Sequence, residues 1–159
     1  MARPNKIGLD YFPLDVDIFD DEKMVAISGE FGLKGEITVI KLLCAIYRNG
    51  YFILWNDLLK FKLLRNLPGV SLELLESIVN RLVLWGFFDK ALFDSVEVLT
   101  SKGIQTRYFS AARRRKTGDD LPYLLVSVDS NWVNVDNNPV NVNINAIKKR
   151  KEKEIKIKK

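Results

Sequence analysis

Between Leu33 and Arg48 the apolar residues Ile37, Ile40, Leu43, Cys44 and Tyr47 recur at helical spacing, and Leu42 and Ile46 widen the stripe. A stripe this broad belongs to a helix that faces a core, and everything downstream must pack around it. Asn49-Gly50 stops that helix, with Gly50 suited to a left-handed terminal position. The aromatic-rich Tyr51-Phe52-Ile53-Leu54 then reads as a short strand. Asn56 or Asp57 caps a helix from Leu58 to about Arg65, closed by Pro68-Gly69. Ser71 caps another from Leu72 to Trp85, whose stripe Leu75, Ile78, Val79 and Leu82 faces the same core. Phe87 to Leu99 reads as a small β-hairpin with a return strand, and a helix follows from about Ser101 to Lys116. Upstream, Asp20 or Asp21 caps a short helix running to about Glu30, after a loop-like lead-in that carries Pro4 and Pro13.

The helix–strand–helix–helix–hairpin order over 33–99 is that of a winged helix-turn-helix. The expected fold class is therefore mostly α with a small β-hairpin, with an extra N-terminal helix and a C-terminal basic helix. We expect three parts: a winged-helix domain over 1–118, an Asn-rich linker over 119–147 and a Lys-rich tail over 148–159. Seven asparagines within residues 131–145 leave too little bulk to offset the ordering entropy, so the linker is expected to be disordered.

Composition excludes more chemistry than it suggests. The 159 residues contain no histidine and a single cysteine, Cys44. Ser-His and Cys-His triads, the common zinc sites, iron–sulfur clusters and intramolecular disulfides all lack their side chains. Gly29, Gly32 and Gly35 do not follow the order of a phosphate-binding loop and read as helix punctuation. The acidic run Asp10, Asp15, Asp17, Asp20, Asp21 and Glu22 lacks the calcium-loop pattern and reads as capping plus solvated surface. We expect no enzyme, no metal and no cofactor. No apolar run approaches the length of a membrane span, no signal-peptide stretch opens the chain, and a cytoplasmic protein is expected.

Charge is the informative feature. Residues 148–159 hold eight basic and two acidic residues, and residues 101–116 hold six basic and none acidic, so each carries a net of +6. The remaining chain is net −7, although the total is only +5. Segregation of this kind points to a polyanionic partner, against the blander reading of a solvated face and a solubilising tail. The candidate DNA contacts are Lys102, Arg107, Arg113, Arg114, Arg115 and Lys116, with Lys60, Lys62 and Arg65 as a further basic spot. Arginine suits such a surface because its planar fork binds phosphate oxygens in pairs. On the nominal reading helix 72–85, Asn80 and Arg81 are the residue types that read adenine and guanine edges, but Glu73 and Glu76 would repel phosphates there.

Two stretches, LDYFPLDVDIFDDEKMVAISGEFGLKGEITVIKLLCAIYRNGYFILW and LVLWGFFDKALFDSVEVLTSKGIQTRYFSAARRRK, resemble an N-terminal domain family of phage-type replisome organisers and DnaD-like primosome proteins. The similarity covers roughly residues 5–130. It implies a winged-helix domain in a protein that assists replication initiation on phage, mobile-element or chromosomal DNA. It also implies a DNA partner met mainly through the phosphate backbone, a replicative helicase or initiator protein as a further partner, and a homo-oligomer. The residues leave two other readings open, a winged-helix transcription regulator and a protein–protein oligomerisation module.

Overall fold

A computed structural model describes residues 7–113 and 121–127. Its elements are α1 (Glu22–Phe31), α2 (Leu33–Asn49), β1 (Ile53–Leu54), α3 (Asp57–Arg65), α4 (Leu72–Leu84), α5 (Lys90–Val96), β2 (Val98–Leu99) and α6 (Lys102–Ala111). The fold class is as expected: mostly helical, with six α-helices and one small two-stranded antiparallel sheet among the described residues.

The helices begin where short polar side chains satisfy first-turn N–H groups. Asp21 accepts from Lys23 N at 3.0 Å, Asn56 from Leu59 N at 2.9 Å and Ser71 from Leu74 N at 3.1 Å. Ser101 does the same for α6, accepting from Ile104 N at 3.1 Å. The expected stripe of α4 is buried throughout, and Leu75, Ile78, Val79 and Leu82 meet Val39, Leu42 and Ile46 of α2 in one core. The strands pair with Ile53 opposite Leu99 and Leu54 opposite Val98, which ties the chain after α2 to the chain before α6.

Three expectations are corrected. The first concerns the hairpin, whose expected turn at Lys90-Ala91 and following Leu92-Phe93 stretch are helical instead, over residues 90–96. Asp89 caps that helix by accepting from Leu92 N at 2.9 Å, and Lys90 pairs with Asp94 one turn on at 2.6 Å. These local contacts outweigh the strand preference of Leu92-Phe93, and Glu97 ends the helix in the left-handed region at φ 53°. The return strand forms as expected and pairs with the strand that follows α2.

The second correction concerns the face that α2 buries. Its inward residues are Gly35, Thr38, Val39, Leu42, Leu43, Ile46 and Tyr47, while Ile37 is 44% exposed and Cys44 half-buried. Gly35 is the reason. A Cβ there would lie 2.7 Å from Ile27 Cγ2 and 2.8 Å from Phe31 Cβ, so α1 packs directly on the glycine and turns that face inward.

The third correction is Gln105, which the helical projection places outward and which is fully buried. Its amide donates to Thr100 Oγ1 at 3.1 Å and Tyr123 O at 2.9 Å, and its oxygen accepts from Leu125 N at 2.7 Å. A buried amide satisfied on both sides pins residues 121–127 back against α6. The tyrosine Tyr51 adds a second tie by donating to Pro122 O at 2.6 Å. The expectations for the Asn-rich linker and the Lys-rich tail fall mostly or wholly outside the described residues.

Candidate nucleic-acid interface

Helix α3 presents one continuous outward strip. Leu58, Phe61, Lys62 and Arg65 share a helical face, and all four are exposed, Phe61 at 60%. The opposite side, with Leu63 buried and Leu59 half-buried, holds α3 against the core. Lys62 and Arg65 sit in the last turn, where the helix dipole favours cations, and neither makes an ion pair among the described residues. Their charge is available to a partner, next to an aromatic ring and an aliphatic side chain.

Lys60 belongs to the fold instead. Its ammonium lies 3.1 Å from Glu76 Oε1 and 3.8 Å from Asp57, sits 5.3 Å from the centre of the Trp55 ring, and its side chain is only 17% exposed. It neutralises one of the two glutamates that sequence reasoning set against groove entry by α4. Arg81 is also engaged, its Nε 3.0 Å from Glu30 Oε1 and its guanidinium 5.9 Å from the Trp85 ring centre. Asn80 is exposed on the same helix. The outward face of α4 therefore offers few uncommitted cations.

On α6, Lys102 is exposed and makes no ion pair among the described residues. Arg107 pairs with Asp15 of the lead-in at the surface, with Nη2 2.8 Å from Oδ2. Arg113 is exposed just beyond the end of α6. Arg114, Arg115 and Lys116 lie outside the described residues. The structure thus brings Lys62 and Arg65 together on α3, and gives Lys60, Arg81 and Arg107 to intramolecular carboxylates.

Sequence reasoning missed a second feature, a cavity of about 650 Å3 between the lead-in, α1, α2 and the start of α6. The lead-in is fastened over it: Leu9 N donates to Tyr47 O at 2.8 Å, Tyr108 donates to Ile7 O at 2.7 Å, and Phe12 stacks on Tyr47 with ring centres 4.6 Å apart. Tyr47 is 2% exposed, and its hydroxyl makes no geometrically complete hydrogen bond among the described residues. Burial raises its pKa, and the adjacent Arg107 guanidinium opposes that rise. No pattern in the sequence signals this arrangement, because its parts come from positions 12 to 107. Among the described residues no three acidic or cysteine side chains group as metal ligands, and no helix is long and apolar enough to cross a membrane.

Comparison with known proteins gives one family. A family model described as Lin1244/Lin1753-like, N-terminal, matches residues 11–104. An uncharacterized phage-related protein, Lin1244/Lin1753 of Listeria innocua serovar 6a, is 39% identical over 127 residues, covering 79% of this chain. The chain spans 41% of the length of that relative. No solved structure matches.

Proposed function

The chain belongs to the Lin1244/Lin1753-like family through the N-terminal domain, and on that premise we propose that it is a phage-related, DNA-binding accessory protein of replication initiation. It acts without catalysis, as a helical scaffold that holds unpaired cations against phosphates. The observation that carries this reading is the strip on α3, where Lys62 and Arg65 stand exposed beside Phe61 with no ion-pair partner among the described residues. The basic segments 101–116 and 148–159 supply further charge of the same sign. A duplex that meets such cations gains affinity by releasing its condensed counterions, irrespective of sequence.

The alternative of an operator-reading regulator needs α4 to enter the major groove. Arg81 would first have to leave Glu30, and Glu73 stays exposed in the first turn. Self-association has its own support in the exposure of Leu54, Leu58 and Phe61, large apolar residues next to the same cations.

A paired substitution tests the reading. Lys62→Ala with Arg65→Ala is expected to weaken duplex binding for all sequences alike and to flatten the salt dependence by about 2 in slope. Asn80→Ala with Arg81→Ala is expected to change affinity by less than about twofold, since an exposed ion pair such as Arg81–Glu30 contributes little to the fold. A large, sequence-dependent loss from the second pair with the first nearly silent would establish the regulator reading instead.

A further inference from the structure

We infer that Phe61 on α3 is a stacking platform for an unpaired base, so that this face makes a contact with single-stranded DNA that duplex cannot make. The inference rests on the proposed DNA-binding reading and assigns the form of DNA that the α3 strip is built for.

Phe61 is the most exposed phenylalanine among the described residues. Other rings are placed by aromatic neighbours: Phe12 stacks on Tyr47, Phe52 meets Tyr51 and Tyr123, Phe87 meets Phe88, and Phe109 meets Tyr108. Phe61 makes no ring contact of this kind among the described residues, and the neighbouring Lys60 lays its ammonium over Trp55 instead. An aromatic face left in water gains by being covered, and every base has a flat face that covers it.

The charges around the ring suit a nucleotide backbone. Arg65 lies one turn beyond Phe61 and Lys62 is its chain neighbour, so both cations stand on the outward side of α3 with the ring. Lys34, in the first turn of α2, carries the basic edge past the end of α3. A Cβ at Gly69, in the loop between α3 and α4, would lie 3.7 Å from Lys34 Cε and 3.9 Å from its Nζ. None of these three cations makes an ion pair among the described residues.

A duplex offers this strip phosphates alone, because its base faces are already stacked on one another. A single strand offers phosphates and base faces together. Asp57 sharpens the difference. It stands exposed one turn before Phe61, 3.8 Å from the Lys60 ammonium, and repels a backbone that runs the full length of α3. A single strand with its phosphates on Lys62, Arg65 and Lys34 and one base on Phe61 avoids that charge. A second copy of the chain fits less well. A two-fold contact here would gather two copies of Lys62 and Arg65 against two of Asp57, a net repulsion that a polyanion reverses.

Titration of the full chain with labelled oligothymidylate and with a duplex of the same length, at several salt concentrations, tests the inference. Phe61→Ala is expected to weaken single-strand binding about tenfold, within the range of one lost base stack, and duplex binding by less than about twofold. Phe61→Leu keeps apolar bulk without a π face and should lose nearly as much. Phe61→Trp should keep its affinity and show quenched tryptophan fluorescence on binding. Lys62→Ala with Arg65→Ala should flatten the single-strand salt dependence by about 1.4 in slope, at roughly 0.7 per contact, while the Phe61 variants leave the slope unchanged. Tyr11→Ala is the control, since Tyr11 is 87% exposed in the acidic lead-in, and it should change nothing. All of these positions are exposed, so thermal unfolding should match the unaltered chain. Equal losses for single strand and duplex, full activity of Phe61→Leu, or a silent Phe61→Ala beside intact duplex binding overturns the inference and leaves the proposed function standing. So does Phe61→Ala that splits an oligomer in sedimentation while single-strand affinity holds, which assigns the strip to a second copy. No binding of either DNA by the unaltered chain overturns both.

Discussion

Gly35→Val is expected to lower the unfolding free energy by about 3 kcal/mol, the upper end of what overpacking usually costs. Any side chain at 35 meets Ile27 Cγ2 at 2.7 Å, Phe31 Cβ at 2.8 Å and the Ile27 carbonyl oxygen at 3.2 Å. Two of those atoms lie on or next to the backbone of α1, so relief requires moving the helix rather than turning a rotamer. Displacing α1 would also pull Met24 and Ile27, both buried, out of the core. In a domain of this size the midpoint of thermal unfolding should fall by roughly 10 °C. Gly29→Ala is the matched control. Position 29 is exposed on α1 with nothing within 4 Å of a new Cβ, so alanine there should add about 0.5–1 kcal/mol through lost unfolded-state entropy. Unfolding curves of the two variants compare them directly. Equal stability for Gly35→Val and the unaltered chain would mean that α1 does not lie on α2 at this distance.

Replacing Arg113, Arg114 and Arg115 together with alanine is expected to produce the largest loss of DNA affinity of any three-residue change. These residues sit in a segment with six basic and no acidic residues. Three lost phosphate contacts should flatten the dependence of log affinity on log salt by about 2 to 3, at roughly 0.9 per contact. The loss should be the same for every duplex sequence, since phosphate contacts carry no base information. A loss confined to one sequence, or none at all, would place the binding surface elsewhere on the chain.

Much of the scaffold was readable from local chemistry. Asp21, Asn56 and Ser71 each announce a helix start, and each makes the capping bond its position implies. The α4 stripe follows from apolar spacing, and the two short strands lie within the stretches 51–54 and 96–99 that aromatic and β-branched residues mark. Helix α5 was not readable in that way. Seven residues are too few for periodicity to separate helix from strand, and the Asp89 cap decided the outcome. The buried face of α2 depended on a glycine that sets how near α1 comes, which a hydrophobicity pattern does not encode. Gln105 looked like a surface residue because its partners, Thr100, Tyr123 and Leu125, become neighbours only after the chain returns.

The candidate site shows the same division. Counting basic residues located the charge, but it could not say which cations the protein spends on itself. Arg81 finds Glu30 and Arg107 finds Asp15, partners far away in sequence, and Lys60 finds Glu76 on the neighbouring helix. Lys62 and Arg65 remain unpaired because α3 turns them away from every carboxylate among the described residues. Phe61 and Leu58, which lie outside any core stripe, are the signal that this face awaits something other than water.

The central claim is that this domain binds DNA through its phosphates. A titration of the unaltered chain with duplex, single-stranded and forked DNA over a range of salt concentrations tests it most directly. With about four to six phosphates engaged, log affinity for duplex should fall against log salt with a slope near −4 to −5, alike for unrelated sequences. A slope near zero, or no binding to any of the three DNA forms at low salt, would contradict the account.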